Sequence, residues 1–295
     1  MTDAAEPDPR RHAYRADLAA EKLRGRVEAL RFVEPERRHV ASPTVPVRRM
    51  PDPNAPLDTE ALLGEVVHVY EDAAGWSWVQ LERDGYVGYL PSDGLGELGA
   101  TATHRVSSPL VMVYSKPSAL AEPLMRAPYN AQLAIAEMTG EFARLESGGY
   151  VGCRHIAPLA TGERDFVEAA CRFVNAPYLY GGKSALGIDC SGLVQIVLQA
   201  AGYEVPRDSD MQQAEISPSV EIGADLAGLE RGDLVFWTGH VGIMQDATMM
   251  VHASATNMCV AVEAVCDVAE RSRKDGPAVA SVSRPKSSLQ LASTR

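Results

Sequence analysis

Pro177-Tyr178-Leu179-Tyr180-Gly181-Gly182 is followed by Asp189-Cys190-Ser191-Gly192-Leu193, and the fold of the C-terminal half turns on how this stretch is read. From residue 191 to 201 the chain is strongly apolar, and then it meets Gly202. That pattern predicts a helix closed by a C′ glycine, with Asp189 as its N-cap. Cys190 then occupies the first turn, where open backbone N–H groups and the helix dipole favour negative charge. A thiol placed there is expected to ionise more readily than a free cysteine, and the same N–H groups can receive an oxyanion. Taken alone, Cys190 reads equally well as a buried structural cysteine. Cys153, Cys171, Cys259 and Cys266 have no helix start beside them and read as structural.

Two imidazoles follow in strand-like contexts, Gly239-His240-Val241-Gly242-Ile243 and Val251-His252-Ala253. In an antiparallel hairpin that pairs Met244 with Thr248, His240 would stand directly opposite His252, with β-carbons about 4.5–5.5 Å apart. A slip of one residue would put them on opposite faces unless a bulge intervened. Facing one another, one ring could take the thiol proton while the other oriented it. Each histidine by itself reads as a structural residue; in combination with Cys190 they read as parts of a thiol–histidine site.

The surroundings agree with an α+β layout. Residues 165–174 read as a helix with Phe166, Val167, Ala170 and Phe173 on its apolar side, and strands are expected over 233–237, 240–244 and 249–253. Upstream, residues 38–98 carry short alternating runs around Leu63–Tyr70, Trp76–Leu81 and Tyr86–Leu90, with Asp84-Gly85 as a turn signal. They predict a small barrel. Residues 99–160 repeat the plan: Trp78-Val79-Gln80-Leu81 before Gly85-Tyr86-Val87-Gly88 corresponds to Phe142-Ala143-Arg144-Leu145 before Gly149-Tyr150-Val151-Gly152. Residues 1–37 form an extension, disordered to about residue 15, with a short amphipathic helix over 16–32 carrying Leu18, Leu23, Val27 and Leu30. The last domain spans 161–284, and 285–295 is a flexible tail.

Composition narrows the function classes. Apolar residues make up 46% and charged ones 23%, and the net charge is −11. Without a basic patch the chain is not expected to bind nucleic acid, and it has little to hold it to an anionic membrane surface. No run approaches a membrane span, and the acidic, Pro-containing start is not a signal peptide, so the expected address is the cytoplasm. Five cysteines without a CxxC pair argue against a disulfide framework or a zinc site.

The residues from Pro177 to Leu193, together with Gly239–Ile243 and Val251–Ala253, resemble the NlpC/P60 cysteine peptidases. The upstream barrels look like bacterial SH3 domains. The resemblance implies a papain-like catalytic domain preceded by two SH3-like barrels. It also implies cleavage of the γ-D-glutamyl–diamino-acid bond of short murein peptides, L-Ala-γ-D-Glu released from diaminopimelate or lysine, in cell-wall peptide recycling. By the same resemblance Cys190 is the nucleophile, His240 the general base and His252 the orienting residue. Tyr178 helps polarise the scissile carbonyl, Asp189 and Ser191 hold polar groups of the substrate, and Asp208 and Ser209 of Arg207-Asp208-Ser209-Asp210 recognise D-Glu. A solvated turn leading into a helix cap is the plainer reading of that last string. Tyr86 matches an aromatic that meets a free substrate amino terminus; the acid that would accompany it is not clearly matched, with Asp58 or Glu60 as candidates. Tyr180 departs from the pattern, which more often has Trp. No metal or organic cofactor is implied. The rival readings are a thiol acyltransferase or amidase of related fold, and an inert wall-peptide-binding protein.

Overall fold

In the computed structural model, residues 7–216, 218–223, 225–273 and 279–285 are described, and they divide into two units that meet at Leu159 and Ala160.

In unit 1 the alternating runs do form strands. Thr44–Arg48 and Leu57–Leu62 make a hairpin, and Val66–Ala73, Trp76–Leu81 and Val87–Pro91 a meander whose last strand returns to pair with the first. Glu36–Val40 and Leu95–Glu97 complete a seven-stranded sheet. Every second side chain points inward, so Val47, Val67, Val79, Leu81 and Leu90 fill one core. Residues 104–158 repeat this order. Leu110–Tyr114 pairs with Pro123–Pro128, and Ile135–Thr139, Phe142–Leu145 and Tyr150–Gly152 meander back to the Leu110–Tyr114 strand around Val113, Leu133, Leu145 and Val151.

Even the irregularities recur. The hairpins shift register at Val47/Arg48 and at Val113/Tyr114, and the meanders at Val69/Glu71 and at Ile135/Glu137. A 3-10 turn follows each meander, Ser92–Gly94 in one and Cys153–His155 in the other.

The helix expected over residues 16–32 does not form. Leu18–Ala20 and Arg31–Val33 are instead parallel strands joined through the 3-10 turn Glu21–Leu23 and through Gly25, whose φ of +78° breaks any helix. Ala13, Leu18 and Leu23 pack on Tyr70 and Trp78, while Leu30, expected on the apolar face, is 88% exposed. Residues 7–15, expected to be disordered, are ordered from Pro7 onward: Arg10 accepts from Val87 N–H, and Arg11 from Gln80. The expected tail over 285–295 lies, apart from Pro285, outside the described residues.

Unit 2 is a buried helix packed against an antiparallel sheet. Helix α1 (Phe166–Cys171) is capped by Asp165, which accepts from Val167 and Glu168 N–H. Helix α2 (Cys190–Ala200) is buried along its whole length and packs on strands His240–Met244 and Met249–Ser254. The sheet runs Cys259–Ala264, Met249–Ser254, His240–Met244, Leu234–Trp237 and Ser281–Ser283. Helix α3 (Ser209–Glu215) follows the Arg207 loop, and α4 (Val265–Ser272) covers the edge at Cys259–Ala264. No helix among the described residues is long and apolar enough to cross a membrane.

Candidate active site

Asp189 is the N-cap that the sequence implies. Its Oδ1 accepts from Gly192 N–H at 2.7 Å, so Cys190 begins helix α2. Its Oδ2 accepts from Gly181 N–H at 2.7 Å, which folds the Gly-Gly approach onto the helix start. The packing there tolerates no β-carbon: one on Gly182 would strike the Gly187 carbonyl, and one on Gly192 would strike the Gly182 carbonyl.

The carboxylate is held by a residue that the sequence reading passed over. Arg207 donates to Asp189 Oδ1 at 3.0 Å and Oδ2 at 2.7 Å, and to Ser191 Oγ at 2.8 Å, although only 1% of it is exposed. Asp189 and Ser191, expected to hold substrate, thus spend their polar atoms on this internal network. No sequence signal marks Arg207, because its burial is set by tertiary packing alone.

Cys190 is 6% exposed, and burial pushes its thiol up to about 12, with the neighbouring Asp189 carboxylate acting the same way. The N–H groups of Val241 and Ser191 face the sulfur and oppose that rise. The expected depression of the thiol is therefore not found. A helix terminus is worth about 0.3–2 kcal/mol, at most about one and a half pKa units, whereas full burial moves a group by up to about 3–5 units.

The histidines share a face of the hairpin, but not in the expected register. Ile243 pairs with Val251 and Met244 with Met250, which sets His252 across from Gly242 and His240 diagonal to it. The slip from the expected pairing is two residues, so parity is kept. His240 Nε2 lies 2.8 Å from His252 Nδ1. Gly242 allows the approach, since a β-carbon there would sit 3.3 Å from that of His252 and 2.7 Å from Met250 Cε. His240 itself follows a tight turn that holds Gly239 at φ +72° and pairs Trp237 with His240. Burial holds His240 down at about 3, and His252 below the ordinary imidazole range.

Beyond His252 lies a carboxylate that the sequence reading did not single out. His252 Nε2 is 2.8 Å from Glu263 Oε2, which also accepts from Asn257 Nδ2 and Arg271 Nη2, while Arg271 Nη1 reaches Oε1. Glu263 was open to discovery, because His252 pairs with Ala261 and a residue two further on shares its face.

Tyr178 and His240 line a cavity of about 330 Å³ with Trp237, His252, Thr256 and Arg271. Cys190 is not among the residues that line it. Burial pushes the Tyr178 hydroxyl up to about 12, and the adjacent Cys190 adds to the rise. Asp208 is the N-cap residue of α3, without a side-chain cap bond, and Ser209 its first residue, both half-buried, while Arg207 of the same string is buried rather than solvated. Tyr180 is exposed. In unit 1, Tyr86 is a core residue at 5% exposure rather than a displayed aromatic, and Asp58 pairs with Arg49 at 2.9 Å. Among the described residues no cluster of His, Cys, Asp and Glu is arranged to hold a metal ion.

Residues 175–271, which hold Cys190, both histidines and Glu263, match the NlpC/P60 family. The chain carries an NlpC/P60 family domain. Residues 47–95 match the bacterial dipeptidyl-peptidase Sh3 domain. A γ-D-glutamyl-L-lysine dipeptidyl-peptidase of Bacillus cereus is 27% identical over 211 residues, 63% of this chain and 61% of that one. Dipeptidyl-peptidase 6 of Lysinibacillus sphaericus is 41% identical over 88 residues, 30% of this chain and 31% of that one. The aligned stretches thus span less than two thirds of these relatives' own lengths. A crystal structure of an NlpC/P60 family protein from Bacillus cereus ATCC 10987 shares the fold, with a TM-score of 0.69 and 19% identity over 84% of this chain and 99% of that one.

Proposed function

We propose that this chain is a cysteine peptidase that hydrolyses the γ-D-glutamyl–diamino-acid bond of short murein peptides. The observation that carries the reading is the coupled pair His240–His252, at 2.8 Å, on strands packed against the helix that begins with Cys190. The Val241 N–H at the sulfur ties the His240 strand directly to the thiol.

In this reading His240 takes the Cys190 proton as the sulfur bonds to the γ-carbonyl carbon. A neutral thiol and a neutral imidazole suit proton transfer coupled to attack better than a resting thiolate does. The oxyanion is received by N–H groups at the helix start and by the Tyr178 hydroxyl. His240 returns the proton to the departing amine as the C–N bond breaks, and water then cleaves the thioester. Asp208 and Ser209 bind the D-Glu portion, and Asp189 with Arg207 holds the helix start in place.

The substrate class is supported by the dipeptidyl-peptidase names of the relatives and by the Sh3 match at 47–95. The same reading takes 38–98 and 99–160 as two SH3-like barrels, supported by their common strand order, and 161–284 as a papain-like domain. It assigns the protein to cytoplasmic recycling of wall peptides.

Mass spectrometry of the full chain with L-Ala-γ-D-Glu-meso-diaminopimelate, the lysine analogue and the N-acetylated tripeptide tests it, with Cys190→Ala as control. Release of the diamino acid, lost in Cys190→Ala, is expected. Cleavage that persists in Cys190→Ala, or no cleavage of any of the three peptides, would overturn the reading.

A further inference from the structure

We propose that Glu263 is a positioning residue that decides which nitrogens of His240 and His252 carry protons, leaving Nδ1 of His240 as the atom that takes the Cys190 proton. The inference rests on the thiol–imidazole reading above and extends it to the carboxylate behind the histidine pair.

The chain of reasoning starts at Arg271. Its guanidinium forks onto both Glu263 oxygens at 2.9 Å, and Asn257 Nδ2 donates to Oε2 at 2.9 Å. Burial works to raise the Glu263 carboxyl, but the bonds from Arg271 and His252 outweigh it and hold it below the usual carboxylate range. An ionised carboxylate only accepts hydrogen bonds, so at 2.8 Å His252 Nε2 must be the donor. A neutral imidazole has one N–H, which leaves His252 Nδ1 as an acceptor. The 2.8 Å contact to His240 Nε2 is then satisfied only if that nitrogen bears the proton of its own ring. His240 Nδ1 keeps its lone pair. Each tautomer dictates the next, and the first is dictated by Glu263.

The arrangement distinguishes Glu263 from a residue that merely packs. Without an acceptor at Oε2, nothing makes Nε2 the protonated atom of His252. Both histidines could then exchange tautomers together, and the exchanged state puts a proton on His240 Nδ1, where the base should be. An amide at 263 can still present its oxygen to His252 and Asn257, although its NH₂ group would lose the bond that Oε1 accepts from Arg271 Nη1, so an acceptor at Oε2 rather than charge is the requirement.

The test uses the full chain with its seven histidines ¹⁵N-labelled, their imidazole signals assigned through His240→Gln and His252→Gln. Wild type, Glu263→Gln and Glu263→Met are compared by imidazole ¹⁵N shifts, by the rate of Cys190 alkylation with iodoacetamide at pH 7, and by kcat and KM on the tripeptide. In wild type and Glu263→Gln both rings are expected as single Nε2–H tautomers. In Glu263→Met they become mixtures, and alkylation and kcat fall by about 10- to 100-fold with little change in KM. Unchanged tautomers in Glu263→Met would overturn the proposal, as would a Glu263→Gln enzyme that loses as much as Glu263→Met. The shifts and the alkylation rate need no peptide. If the tautomers follow Glu263 while no murein peptide is cleaved, the positioning role stands and only the substrate reading falls.

Discussion

Arg207 Nη2 lies 2.7 Å from Asp189 Oδ2 and Nη1 3.0 Å from Oδ1, so a buried guanidinium closes a fork on the residue that caps the Cys190 helix. The pair is stable only because each charge is fully answered: Asp189 also accepts from Gly181 and Gly192, and Arg207 donates to Ser191. Removing one partner leaves an unanswered buried charge. Arg207→Met is expected to cost about 3–5 kcal/mol of stability, and Arg207→Lys a large part of that because an ammonium cannot fork. Urea unfolding of the two variants checks this; an Arg207→Met protein within 1 kcal/mol of wild type would show the fork to be dispensable.

Leu23 and Arg15 anchor the N-terminal segment to the seven-stranded sheet of unit 1. Leu23 is buried against the cluster containing Tyr70 and Trp78, and the Arg15 guanidinium lies 4.4 Å from the Trp78 ring centroid while pairing with Asp17 and Glu71. Leu23→Ala is expected to destabilise unit 1 by about 2–5 kcal/mol. Arg15→Ala should cost less, about 1–2 kcal/mol, because part of its interaction is screened by solvent. Proteolysis in the native state should then cut first near Gly25 in both variants. Unaltered protection in Leu23→Ala would show that the segment contributes nothing to unit 1.

The residues explain what could and could not be read in advance. The Asp189 cap was legible because capping is local, and so was the strand-like setting of both histidines. The hairpin register was not, because it depends on the loop between the strands. Asp246 Oδ1 accepts from Thr248 N–H, Thr248 Oγ1 and Met249 N–H, which lengthens the turn and pairs Met244 with Met250. The shift from the expected pairing is even, so both rings stay on one face of the hairpin. The N-terminal leucines misled because an amphipathic count cannot tell a helix face from two short extended segments when the partner is a distant aromatic cluster. The thiol misled for a different reason: the helix start is a local feature, but burial is tertiary and far larger.

Gly242→Ala tests how closely the histidine pair is set. The added carbon would lie 2.9 Å from Met250 Sδ, which can swing aside, and 3.3 Å from His252 Cβ, which cannot without moving the ring. Activity on the tripeptide is expected to fall by at least tenfold in kcat while the fold loses about 1–3 kcal/mol, the range for an overpacked core. Full activity in this variant would mean that the 2.8 Å contact between the rings is not needed for catalysis.

Acid should weaken unit 2 before it weakens any carboxylate network. Burial holds His240 at about 3, against an ordinary 6.5, with His252 and Arg271 acting the same way and Glu263 against them. His252 is also held below its ordinary value, by burial. A depressed imidazole means that the unfolded chain binds more protons than the folded one between pH 6.5 and about 3. The stability contributed by the neutral ring is thus complete above pH 6.5 and declines as the pH falls through that window. At about 1.4 kcal/mol per pH unit, His240 alone accounts for a loss of about 2 kcal/mol on going from pH 7 to pH 5. Urea midpoints read by pulsed hydrogen exchange at peptides from Cys190–Ala200 report this unit alone. They should fall from pH 7 to pH 5 in wild type and fall clearly less in His240→Gln. Equal declines in the two proteins would place the acid sensitivity elsewhere and imply that His240 is free to protonate in the folded state.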